Sequence, residues 1–174
     1  MKTITFLAFM LALPFAGFAQ SKSLDDMFSK FENKNGVTSV NISKDMMEFV
    51  AKMDSTDSKS RNFLSKISQV KILVLNNASM EDKSNFNLMA KSLPLSDYKE
   101  LMVVKENNQN IKMMLRENQG KVSEFLLLVT GDKEQVILSI RGNIDPKDLG
   151  KLSSGMHMKG FEYLAHLNKG KKTH

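Results

Sequence analysis

From Tyr98 onward the chain carries four runs of β-type residues, Leu101 to Val104, Ile111 to Arg116, Val122 to Thr130 and Val136 to Arg141. The polar links between them, Glu106-Asn107-Asn108-Gln109, Glu117-Asn118-Gln119-Gly120 and Gly131-Asp132-Lys133-Glu134, are short. A parallel return needs a crossover of a dozen residues or more, so links of this length force neighbouring strands to run antiparallel. The result is a four-strand meander. Its apolar side chains require cover from elements that carry apolar stripes of their own.

Several upstream segments have that character. Ser23-Leu24-Asp25-Asp26 fits a capping box, and Leu24, Met27, Phe28 and Phe31 follow at helical spacing until Asn33-Lys34-Asn35-Gly36 stops the helix. Val37 to Ile42 reads as a short strand, after which Ser43 can cap a second helix with Met46, Phe49, Val50 and Met53 on one apolar face. A polar connection at 54–60 precedes a short helix carrying Phe63, Leu64 and Ile67. Val70 to Leu75 is apolar at nearly every position, which suits a central strand covered on both faces. Ser79-Met80-Glu81-Asp82 opens another helix, with Phe86, Met89, Ala90 and Leu93 inward and Pro94 at its end. After the meander, Asp145-Pro146-Lys147-Asp148 starts a helix with Leu149 and Leu152 inward. A last helix from about Met158 carries Phe161, Leu164 and Ala165. The expected class is α+β, a two-layer sandwich in which helices cover a mainly antiparallel mixed sheet.

The first residues bear on location. Met1-Lys2 is a positive start, Ile4 to Leu13 an apolar run too short to span a bilayer, and Ala16-Gly17-Phe18-Ala19 a small-residue exit. This is the pattern of a secretory signal peptide at 1–19, cleaved between Ala19 and Gln20. A single domain over 20–168 and a basic tail over 169–174 complete the organisation. The chain has no cysteine, so folding outside the cytosol relies on packing without disulfides, and no lipobox thiol is present for a lipid anchor. No later segment has the length of a membrane span. The net charge of +6 is mild and spread along the chain, which argues against a nucleic-acid partner. A periplasmic or secreted product is expected.

The stretches Tyr98 to Lys105, Gly120 to Val129, and Ile140 to Asp145 followed by Leu149-Gly150-Lys151-Leu152 resemble the domain-of-unknown-function 4252 family of small exported Bacteroidetes proteins. The resemblance implies an export signal and a Gly-x-Ile-Asp passage from the last strand into a helix, matched here by Gly142 to Asp145. It implies no catalytic residues and no cofactor. A link to envelope signalling is also suggested by it.

Chemistry-bearing patterns are sparse. Met156-His157-Met158 offers two thioethers and an imidazole, soft ligands suited to Cu(I), but adjacent residues on a helix or strand point in different directions. Methionine more simply fills gaps in a core. The three histidines lack zinc-site spacing, and neither a Gly-x-Ser-x-Gly elbow nor a phosphate loop exists. Asp54-Ser55-Thr56 matches a short O-glycosylation pattern of exported Bacteroidetes proteins, which makes Ser55 and Thr56 candidate acceptors. An enzymatic reading would need buried acids, such as Asp132, Glu134 or Asp145, gathered in a deep pocket. The leading expectation is a non-enzymatic interaction module whose partner is an envelope protein or ligand. The alternative is a periplasmic copper-binding protein using Met156, His157 and Met158.

Overall fold

The computed structural model describes residues 16–53 and 58–146. Within them lie helices α1 (Ala16–Phe31), α2 (Lys44–Met53), α3 (Ser58–Leu64) and α4 (Met80–Ser92). The strands are β1 (Thr38–Ser43), β2 (Ile67–Val74), β3 (Lys99–Glu106), β4 (Gln109–Asn118), β5 (Lys121–Gly131) and β6 (Val136–Ile144). They form one six-stranded sheet in the order β1-β2-β6-β5-β4-β3. Every pairing is antiparallel, so the mixed character expected of the sheet resolves to a single sense.

The meander runs β3 to β6 as the polar links require. Its first two turns are tighter than the links suggested, because the strands extend to leave only Asn107-Asn108 and Gln119-Gly120 between them. All four residues have positive φ, the backbone of a type I′ turn, whose twist matches that of the flanking strands. β2 enters the sheet between β1 and β6 and is hydrogen-bonded on both sides, the internal position its continuous apolar character predicts.

Alternation along each strand sends side chains to two separate cores. On one face Leu126 and Leu128 of β5, Ile137 of β6 and Leu73 of β2 pack with Leu24, Met27, Phe28 and Phe31 of α1 and Phe86 and Ala90 of α4. Phe31 and Phe86 meet edge to face at 5.6 Å, closing the seam between the two helices. On the opposite face Phe125 and Leu127 of β5, Leu138 and Ile140 of β6 and Val70 of β2 pack with Phe63 of α3 and Met47 of α2. The helices are thus shared between both faces, and the sheet is the middle layer.

Local capping follows the sequence closely at two helices. The Ser79 hydroxyl accepts from the Asp82 N–H at 3.1 Å at the start of α4, and Ser43 accepts from Met46 N–H at 3.3 Å at the start of α2. α1 begins upstream of its expected cap, since the helix already runs from Ala16 through Ser23. Gly36, just after α1, has φ +73°, and its carbonyl accepts from Asn77 N–H at 3.0 Å. A Cβ there would lie 2.1 Å from the Asn77 carbonyl oxygen, so only glycine allows the two loops to cross this closely. The helices expected from Asp145 and from Met158, and the basic tail, lie outside the described residues, as do residues 1–15.

Candidate functional site

Two features remain once the cores are accounted for: a buried charge network and an exposed apolar helix face. The network is centred on Glu124, an acid with no exposed surface inside the most apolar strand of the sheet. Burying a carboxylate is costly unless every lone pair is met, and here four donors meet it. Glu124 Oε1 accepts from Ser139 Oγ at 2.6 Å and Arg141 Nε at 3.0 Å. Its Oε2 accepts from the Tyr98 hydroxyl at 2.7 Å and Arg116 Nη2 at 2.9 Å.

Register explains how these groups converge. Arg116 on β4, Glu124 on β5 and Arg141 on β6 are direct neighbours across three strands, and irregularities in β5 pairing next to Glu124 mark where the ladder is re-aimed. Arg141 Nη1 reaches on to both Asp25 oxygens at 3.2 Å, and Lys71 Nζ donates to Asp25 at 2.9 Å, which ties α1 to the sheet. Arg116 also lies over the Tyr98 ring at 5.4 Å, and Lys71 over Phe28 at 5.3 Å. Burial, followed by the Glu124 charge, pushes the Tyr98 phenol well above its ordinary value, so it stays a donor. For Asp25, burial alone would raise the carboxyl. The hydrogen bonds and charges of Lys71 and Arg141 outweigh this and hold it below the usual carboxylate range. The Glu124 carboxylate, bonded by four donors, is fixed in place and has no free lone pair for proton transfer, which suits an anchor rather than a general base.

The second feature lies on α2. The spacing i, i+3, i+4, i+7 singled out Met46, Phe49, Val50 and Met53 as its apolar face, and the structure turns that face outward, with exposures of 49%, 56%, 38% and 67%. Met47 packs against the sheet core instead, and the buried Ala51 lies beside α3, where it lines a recess with Arg61 and Asn62. β1 passes into α2 without a linker, so the strand sets the phase of the helix, and α2 packs on α3 as well as on β2 and β1. Val40 of β1, 38% exposed, pairs with Ile72 and so shares this side of the sheet. Leu88 and Met80 on α4 lie apart from this face, and a smaller exposed apolar pair, Leu101 and Val103, stands on the edge strand β3.

A recess of about 300 Å³ lies between the end of α4 and strands β4 and β5, lined by Leu93, Leu95 and Leu128 with Lys91, Asn110 and Lys112. The acids that an enzymatic reading would require are not gathered. Asp132 and Glu134 are exposed at a turn, and Asp145 pairs with Lys121 at 2.9 Å. Glu124 is the buried acid that the sequence reading passed over. Its signal was present as a lone charge within Val122 to Val129, a run buried on both faces. Among the described residues no three histidine, cysteine or acidic side chains are grouped to hold a metal ion. Met156, His157 and Met158 lie outside the described residues, as do Ser55 and Thr56. Ala19 and Gln20 fall within the α1 backbone. Among the described residues no helix is long and apolar enough to cross a membrane.

An antiparallel sheet with a C-terminal meander and helices on both faces, anchored by a buried ion network, defines an α+β domain. Residues 31–152 match the model of the domain of unknown function DUF4252, and the chain belongs to this family. No curated protein matches it significantly, and neither does any solved structure.

Proposed function

We propose that this chain is an exported, non-enzymatic interaction module of the cell envelope, and that the outward apolar face of α2 is its docking surface. The observation that carries the reading is the row of Met46, Phe49, Val50 and Met53, four apolar side chains in register on one helix and exposed together. Contiguous apolar exposure on a folded domain marks an interaction site, and methionines suit adaptable contact. A helix presenting i, i+3, i+4 and i+7 anchors is the form in which helical surfaces engage apolar grooves. Export is proposed from the leader, with removal after Ala19. The α1 side chains that seal the core, Leu24, Met27, Phe28 and Phe31, all lie beyond that point, so cleavage leaves their packing intact.

A photo-crosslinking side chain at position 49 tests the proposal in intact envelopes. Reproducible adducts at 49, and none from the same probe at exposed Lys105 of β3, are expected. Equal labelling from both positions, or none from 49, would remove the support for α2 as a docking face.

A further inference from the structure

We infer that the partner met by α2 is a second copy of this chain, joined edge to edge through β1. This rests on the reading of α2 as a docking face and adds the identity of the occupant. The two edges of the sheet differ in chemistry. β3 carries Lys99, Glu100, Lys105 and Glu106 and is broken by an irregularity between Glu100 and Met102, the devices that keep an edge strand from pairing. β1, Thr-Ser-Val-Asn-Ile-Ser, has no charge and no proline, and it keeps an unbroken register with β2 over all six residues. Among the described residues its outer hydrogen-bonding groups are therefore an unguarded template. Because β1 is uncharged, antiparallel pairing with its own copy sets no like charges opposite each other.

Geometry brings the two observations together. Antiparallel pairing of β1 with a second β1 places a two-fold axis perpendicular to the sheet, which keeps both α2 helices on one face. α2 packs over β1 and β2. With strands about 4.8 Å apart, a helix above the boundary of these two strands would stand about 10 Å from its copy across the axis, the separation of packed helices. The exposed stripes would then meet each other above the new strand pair, with Val40 beneath them. Together with Val40, the four α2 side chains offer roughly 400 Å² of apolar surface per copy, about half of what one partner contributes to a standard interface. The paired β1 edges supply the remainder, and the two six-stranded sheets become one continuous sheet.

The natural absence of cysteine makes the test specific. Single cysteines are placed in turn at Ser39, Val40 and Asn41, and a control at Val103 on the opposite edge, and each protein is oxidised and run without reductant. Paired strands hold opposite Cα atoms about 4.5–5.5 Å apart, within disulfide range. An interchain disulfide from at least one β1 position and none from Val103 is expected. Light scattering should report twice the mass of one chain, and Ser39→Lys or Phe49→Glu should each weaken association at least about tenfold. A monomer across the dilution series would overturn the inference, as would a dimer unaffected by both substitutions or cross-linking at Val103 equal to that at β1. If the chain is monomeric while a probe at position 49 still captures an envelope component, only the second-copy assignment falls. If both fail, the docking face falls with it. Should Phe49→Glu not fold, the cysteine series, which alters exposed β1 positions, decides alone.

Discussion

Replacing Glu124 by alanine should be among the most damaging single changes available in this fold. The substitution removes the acceptor of four hydrogen bonds and leaves Arg116 and Arg141, whose side chains are only 19% and 20% exposed, facing each other without the charge between them. Breaking a buried pair by removing one partner costs about 3–5 kcal/mol, and the two hydroxyls of Tyr98 and Ser139 lose their acceptor as well. Arg141 retains Asp25, which keeps the loss near the lower part of that range. A cost of about 3 kcal/mol is a large fraction of the 5–15 kcal/mol typical of a domain, and it corresponds to a fall in Tm of roughly 6–12 °C for a chain of this size. Urea unfolding followed by circular dichroism measures it, with an unchanged m-value showing that the denatured state is the same. Replacing Glu124, Arg116 and Arg141 together by apolar residues should recover most of the loss, because the stranded charges go with their partner. A loss below about 1 kcal/mol for Glu124→Ala would refute the view that this carboxylate anchors the sheet.

Three further outcomes follow from the same structure. The Asp25 carboxyl titrates below its unfolded value of about 3.9, so its ion pairs stabilise the protein fully above that pH, and the contribution is lost as pH falls through the lower folded value. The urea midpoints of the wild type and Asp25→Asn should therefore differ at pH 7 and converge near pH 2; a gap that persists at the acid end would contradict the assignment. Gly36→Ala should destabilise by more than about 1 kcal/mol, since φ is +73° and the new Cβ would meet the Asn77 carbonyl, and a neutral thermal melt would show that the loops do not cross as described. Ala51→Glu should detach α2 from the elements it packs on, with protease cleavage within α2 as the readout, while Met53→Glu on the exposed face should leave cleavage unchanged.

What could be read from residues alone was mainly local. The short polar links dictate the meander, and the stripe from Leu24 to Phe31 is buried as its spacing requires. Ser79 and Ser43 cap the helices they precede, because a side-chain acceptor at a helix start acts within one turn. The failures share a non-local cause. Periodicity shows that α2 has an apolar face but not that its packing on α3, β1 and β2 turns Ala51 and Met47 inward. Nor does it tell which face of a sheet each helix will take. Glu124 was passed over because its partners come from β4, β6 and the residue before β3, positions that only register brings together. β2 lies beside β6 rather than β3 because α4 carries the chain across the sheet to the far edge, a choice no local pattern records.

On the proposed reading the α2 stripe is surface kept for contact and is not part of the core. The most direct measurement compares Phe49→Glu with the wild type for both urea midpoint and association state. An unchanged midpoint, extrapolated to the dissociated chain, together with loss of association, is expected. A drop in monomer stability of the size seen for a buried aromatic, about 3–5 kcal/mol, with association unaltered, would contradict it.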